Sequence, residues 1–310
     1  MRAAALVVLL LAFAVLLRGE QRSSPPTFRS SATVVTLDVS VKKGNRPVIG
    51  LGPSDFVVLD NKVAQKVERV TYAQVPIDVT LVLDVSYSVI GTIERIRRNA
   101  SSILELLRPN DRIRVLTFYG SVHELVPLQR AVEALPPLTI GGSTRLRDAL
   151  NAALLMPADP DRRRVVVAVT DGEDTYSIAS PASLVEVARR TDGTLYVIEV
   201  PTKLPSTSDG FSGGVSPTML SGLWGFWPGT ARHGVEEATM VTGGRYFGTD
   251  FNVVGRVRGI LEEFRQSYVI TYTLEGVADA GWHELQVQVK GIDAKNIRAR
   301  RGYFAGGTTP

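Results

Sequence analysis

The segment 77–86, IDVTLVLDVS, limits what this chain can fold into more than any other. It is a nearly continuous apolar run with no polar face, so a strand built from it must be buried on both sides. Parallel sheets covered by helices use such strands. The neighbouring sequence fits that setting. Residues 92–108 carry Ile93, Ile96, Ile103, Leu104 and Leu107 at helical spacing, and 112–120 reads as another strand. Helix 145–156, strand 165–172, helix 181–191 and strand 194–200 follow, then a helix near 233–242, a short strand 245–247 and a last helix 253–267. Strands alternating with helices of this length predict a doubly wound α/β domain with a mostly parallel sheet.

The flanks have a different texture. Residues 32–50 read as strand, polar turn at Lys43-Gly44-Asn45, and strand; 55–73 repeats this with a turn at Asp60-Asn61. Beyond 267 come strands 268–274, 282–290 and 297–304. Neither flank holds enough strands for a core of its own, and the ends of a domain tend to lie together. The expectation is one discontinuous β-rich domain into which the α/β domain is inserted. The organisation is then 1–19 signal peptide or N-terminal anchor, 20–31 tether, 32–75 first β-rich part, 76–266 α/β domain and 267–306 second β-rich part.

After Arg2, residues 3–17 form an unbroken apolar run that ends at Arg18. That length suits a signal-peptide core and is short for a membrane span. Export to the periplasm, the envelope or the outside is expected; an uncleaved segment would serve as an inner-membrane anchor. The chain has no cysteine, which excludes disulfides, thiolate ligands and a cysteine-borne lipid anchor. Net charge is +4, and the basic runs 95–98, 162–164 and 298–301 are scattered. They read as the polar side of a helix, the lead into a buried strand, and an alternating edge strand. No nucleic-acid partner is expected. The Gly/Ser/Pro-rich stretch 201–231 carries Phe211, Leu223, Trp224, Phe226 and Trp227. So long a loop either covers a flank or supplies contacts to a partner, with Trp224 and Trp227 as the candidates.

The chemistry gathers at strand ends. In an open parallel sheet, ligands bind outside the carboxyl ends of the strands. Asp84 ends the first buried strand, and Ser86 and Ser88 follow it in DVSYS; Asp171 ends another strand in VTDGED, 169–174; and Thr144 lies in GGSTRLRDAL, 141–150, a glycine-rich loop entering a helix. All five are small oxygen donors. Mg²⁺ and Mn²⁺ favour oxygen ligands, whereas zinc and copper favour nitrogen or sulfur. Two carboxylates offset the charge, the hydroxyls add ligands, and an open position is left for an acidic group. Plainer roles exist for each: Ser86, Ser88 or Thr144 as helix caps, and Asp171-Gly172 as a turn.

DVSYS resembles the Asp-x-Ser-x-Ser element of von Willebrand factor type A domains, GGSTRLRDAL their second element, and VTDGED their third. The resemblance covers about residues 77–265. It implies a metal-ion-dependent adhesion site of Asp84, Ser86, Ser88, Thr144 and Asp171, with Asp148 bracing a loop. The stretches 48–70 and 268–273 and the ending RARRGYF resemble those of exported bacterial proteins built on this domain. The chain departs from the common pattern at Tyr87, where many members have glycine, and at Val89, where many have methionine. Tyr87 would either narrow access or touch the partner.

The implied function is an exported, Mg²⁺- or Mn²⁺-dependent protein-binding module, for adhesion or assembly, whose partner completes the metal shell with an acidic side chain. One alternative is an envelope structural protein with a purely stabilising metal. Another is a metal-dependent hydrolase. Against catalysis, His123, His233 and His283 lie outside the motifs, Glu173 is the one unassigned acid beside Asp171, and no phosphate-binding GxxxxGK[ST] or dinucleotide GxGxxG follows a strand.

Overall fold

The structure, a computed structural model, describes residues 33–306 apart from Asn45, 73–74, Ala131, Ala158, Pro160, 202–229 and Asp279. The expected signal or anchor, the tether, and Trp224 and Trp227 lie outside the described residues.

Strands β1 (Val34–Lys43), β2 (Arg46–Pro47), β3 (Phe56–Asp60), β4 (Val63–Gln65) and β5 (Val67–Tyr72) come first. The α/β region runs β6 (Ile77–Asp84), α1 (Ile93–Leu104), β7 (Arg112–Tyr119), β8 (Ser121–Gln129), α2 (Leu146–Leu155), β9 (Arg163–Thr170) and α3 (Pro181–Arg190). It continues with β10 (Thr194–Glu199), α4 (Thr230–Val241), β11 (Arg245–Phe247) and α5 (Val253–Arg265). Strands β12 (Tyr268–Thr273), β13 (Gly281–Val289), β14 (Ile297–Arg298) and β15 (Gly302–Ala305) close the chain.

The central sheet has the order β11-β10-β9-β6-β7-β8. All its pairings are parallel except β7–β8. Every residue of β6 and β9 is buried, as their apolar runs require. Alternate residues face opposite sides. Val79, Leu81 and Leu83 pack with α1 and α5, while Val82, Val166 and Ala168 pack with α2, α3 and α4. Strand β8 is not evident in the sequence, because His123, Glu124 and Pro127 interrupt its apolar pattern. It is an edge strand, where a proline is tolerated.

Two further sheets, separate from the central one, are built from the flanks. One has the order β14-β1-β12-β5, with β2 on β1; the other is β15-β13-β3-β4. Residues from far apart in sequence share ladders, such as Val35 with Tyr272 and Val58 with Val287. Leu37, Val39, Phe56, Val58, Tyr268 and Leu285 belong to one apolar cluster. Within these sheets Asp60 is fully buried. It accepts hydrogen bonds from Tyr272 (2.7 Å) and Tyr303 (2.8 Å) and pairs with Nδ1 of His283 at 2.7 Å.

Two expected strands are each divided. Residues 63–73 become β4 and β5, which pair with β3 and β12 respectively. Residues 297–304 become β14 on β1 and β15 on β13. The basic run 298–301 is therefore not an alternating edge strand. It crosses between sheets against the end of α4, where Arg301 N–H donates to the Val241 carbonyl at 3.1 Å. Gly243 makes this approach possible, and Gly244 lets the same turn lie against β10. A Cβ at Gly243, whose φ is +82°, would lie 2.8 Å from Arg300 N, and one at Gly244 would lie 1.8 Å from the Leu195 carbonyl oxygen.

Candidate functional site

The sheet order places β9 and β7 on opposite sides of β6. The chain thus leaves β6 towards one neighbour and later returns on the other side, which opens a crevice at the carboxyl ends of β6 and β9. Asp84 sits there, fully buried. Its Oδ1 accepts from Ser86 N–H at 3.0 Å and from the Ser86 hydroxyl at 2.6 Å, while Oδ2 accepts from the Thr170 hydroxyl at 2.7 Å. The Asp84–Ser86 bonds turn the chain into a 3-10 segment, Tyr87–Thr92, that carries Ser88.

A second loop closes on this turn. Gly141 N–H donates to Val85 O at 3.1 Å, Tyr87 N–H to Gly142 O at 3.3 Å, and Gly120 N–H to Ser143 O at 2.8 Å. Gly142 has φ +61°, and a Cβ there would lie 3.0 Å from the Gly120 nitrogen, so the position favours glycine. Thr144 is thereby set against the serines. Its hydroxyl donates to Ser86 Oγ at 3.1 Å and lies 3.4 Å from Ser88 Oγ, and Ser86 Oγ and Ser88 Oγ are 2.9 Å apart. The three hydroxyls form a triangle on the Asp84 carboxylate. None of them caps a helix: Ser86 precedes the 3-10 segment without a side-chain cap, and Arg145 rather than Thr144 occupies the cap position of α2.

Asp171 follows β9 at the same edge and is buried. Its Oδ1 accepts from Glu173 N–H at 3.0 Å in a turn through Gly172, whose φ is +82°. Its Oδ2 is buried without a hydrogen-bond partner. Burial first, and the charge of Asp171 second, push the Asp84 carboxyl up to about 7. Burial also raises Asp171, with Glu199 adding repulsion and the Ser88 hydroxyl and Glu173 amide opposing the rise. Burial and the Asp171 charge raise Glu173. Among the described residues, no Lys, Arg or His forms an ion pair with Asp84 or Asp171.

Asp148 lies one turn along α2 from Thr144. It accepts from the Ile178 and Ala179 amides at 3.0 and 2.8 Å, bracing the loop beyond Asp171. Asp174 accepts from Arg147 N–H and the Ser177 hydroxyl, each at 2.8 Å. Thr170 and Asp174 were not legible as site residues in the sequence, nor was Glu199, whose carboxylate lies 3.3 Å from where a Gly172 Cβ would be. Thr170 had one signal, its place at the end of the strand beside Asp84. Tyr87 is 64% exposed beside the hydroxyl triangle.

Two buried carboxylates that repel each other and pair with no cationic side chain among the described residues, one oxygen left without a partner, and three clustered hydroxyls fit an oxygen-favouring divalent cation. Among the described residues, no group of three or more His, Cys, Asp or Glu is arranged to hold a metal. The candidate set relies on hydroxyls instead.

The sequence profile of the von Willebrand factor type A domain matches residues 79–173. A von Willebrand factor type A domain is therefore present over that segment of the chain. No curated protein matches. Among solved structures, the chain is similar to an aerotolerance-related membrane protein from Bacteroides fragilis, at 19% identity and TM-score 0.43, covering 61% of this chain and 98% of that one. It is also similar to a von Willebrand factor type A protein from Catenulispora acidiphila, at 12% identity and TM-score 0.44, covering 88% and 73%. A third is proximal thread matrix protein 1 from the mussel byssus, with a zinc-occupied adhesion motif, at 14% identity and TM-score 0.44, covering 64% and 48%. Among the described residues, no helix is long and apolar enough to cross a membrane.

Proposed function

We propose that the chain is an exported protein-binding module, for adhesion or assembly, whose contact is made through a divalent cation held by Asp84, Ser86, Ser88 and Thr144, with Asp171 beside it. The observation that carries this reading is the triangle of hydroxyls on Asp84 next to the unpartnered oxygen of Asp171. Mg²⁺ or Mn²⁺ in that position supplies an electropositive open position for an aspartate or glutamate of a protein partner. The chain's own part is to hold the oxygen donors converged before the ion arrives. Tyr87, exposed beside the hydroxyls, is assigned to the partner contact, and Trp224 and Trp227 are assigned the same task from their sequence setting.

A purely stabilising metal is the second reading. Hydrogen bonds to Thr170, Asp148 and Asp174 also tie these loops, so a metal would not be their sole support. Export rests on the apolar run 3–17. The proposed organisation keeps a von Willebrand factor type A unit at 76–266 inserted between β-rich parts 32–75 and 267–306, and the shared ladders of the flanks support it.

The test is calorimetric titration of Mg²⁺, Mn²⁺ and Zn²⁺ into wild type and Asp84→Asn, followed by pull-down from an envelope extract with and without chelator. Saturable Mg²⁺ or Mn²⁺ binding that Asp84→Asn abolishes, and partners lost in chelator, are expected. Equal metal affinity in the two proteins would overturn the assignment.

A further inference from the structure

The basic runs do not contribute to the Asp84 site, but the fold gathers one of them. At the edge of the central sheet opposite Asp84, a cavity of about 400 Å³ lies where β1 and β14 meet the end of α4 and the start of β11. Lys42, Arg245, Lys295, Arg298 and Arg301 line it, with Glu263 as the one carboxylate. Lys42 and Arg298 both pair with Glu263, each at 2.7 Å. Among the described residues, Arg245 and Arg301 have no carboxylate partner. We propose that this cavity binds a small anion carrying a phosphate or diphosphate group.

Charge, shape and lining each favour that ligand. Five cations face Glu263 within the cavity, and Lys295 has Asp293 beside it at 3.6 Å; the remaining excess is more than a single carboxylate ligand would offset. Three of the five are guanidiniums, whose planar forks match phosphate oxygens. The volume suits a small molecule rather than a polymer laid along a stripe. No aromatic ring lines the cavity, so a nucleobase would find no stacking surface. Partial burial and the like charge of Arg298 hold the Arg245 guanidinium below its ordinary value, a penalty that an anion between the two would relieve. Gly243 gives the site its build. It admits the backbone of 299–300 at contact distance, which brings Arg298 and Arg301 to the rim, while Gly244 seats the same turn against β10.

The test is titration of inorganic pyrophosphate into the full chain, in chelator so that the Asp84 site takes no part. Saturable binding is expected, with a raised melting temperature. Arg245→Gln with Lys295→Gln should weaken it at least about tenfold, the loss expected for charge-assisted contacts. Lys66→Gln, an exposed cation outside the cavity, and Asp84→Asn should leave it unchanged. Sedimentation with phosphatidylglycerol vesicles separates the sources. Vesicle binding that pyrophosphate displaces identifies a lipid headgroup, and pyrophosphate binding without vesicle binding identifies a free phosphorylated ligand. No binding at millimolar pyrophosphate, or an equal loss in Lys66→Gln, would overturn the proposal.

Discussion

Asp84 is held in a setting that favours its protonated form, and this has a measurable sign. Its carboxyl titrates near 7 when folded, above the roughly 3.9 of an unfolded aspartate. Between those values the folded protein keeps a proton that the unfolded chain has released. The stabilisation is fully present below about pH 4 and is lost as pH rises through about 7. Asp171 and Glu173 shift the same way. The depressed carboxyls Asp78, Glu199 and Asp250 act at more acidic pH, outside this window. In chelator, thermal melts should therefore show a less stable protein at pH 8 than at pH 5.5, with Asp84 contributing about 2 kcal/mol of the difference. Asp84→Asn should flatten the dependence. Mg²⁺ needs the ionised carboxylates, so its affinity should rise with pH across the same window in calorimetry. Asp84→Ala is a poorer probe. It strands the Ser86 amide and the Ser86 and Thr170 hydroxyls, at a cost of about 1–3 kcal/mol. Ser86→Ala and Ser88→Ala should each weaken Mg²⁺ binding, and the double variant should lose less than the sum, because the two hydroxyls touch one another.

Among the elements, α2 and the loop after β9 are joined by one carboxylate. Asp148→Ala should cost about 1–2 kcal/mol and speed hydrogen exchange at Ile178 and Ala179, while the β6 amides stay protected. Solvent exchange followed by mass spectrometry or NMR reads this directly. The junction of α4 and β11 is less forgiving. Gly244→Ala places a methyl group 1.8 Å from a backbone oxygen of β10, so either β11 or α4 must move. A loss of more than about 3 kcal/mol in denaturant unfolding is expected.

Across the whole molecule, the two ends of the chain hold each other. β1 and β3 have their ladder partners in β12 and β13, and the buried Asp60 is satisfied by Tyr272, His283 and Tyr303, all from the far end. Removing residues 267–306 should leave β1 and β3 as open apolar edges and Asp60 buried without donors. The fragment 33–266 should aggregate on size exclusion, whereas 76–266 should stay monomeric and folded by circular dichroism. The junction between these sheets and the central one includes Arg163. It is buried at the start of β9, pairs with Asp38 at 2.7 Å and donates to the Phe264 carbonyl.

What the sequence determined by itself was local and periodic. The apolar run of β6 required burial on both faces, the strand–helix alternation specified the layered core, and DVSYS, GGSTRLRDAL and VTDGED marked Asp84, Ser86, Ser88, Thr144 and Asp171 as oxygen donors at strand ends. Such signals survive in one dimension because they depend on neighbours within a strand or a turn. Tertiary structure decided what depended on residues far apart. Strand β8 has no clear period of its own and exists through its pairing with β7. The segments 63–73 and 297–304 each look like one strand but divide, because their halves find partners in different sheets. Thr170 joined the candidate site only when the register set β9 beside β6, and Glu199 came near it only when β10 ended close to Gly172. The run 298–301 alternates in sequence, yet the absence of a side chain at Gly243 lets its backbone pass against the end of α4. That close approach turns a scattered set of basic residues into a cavity.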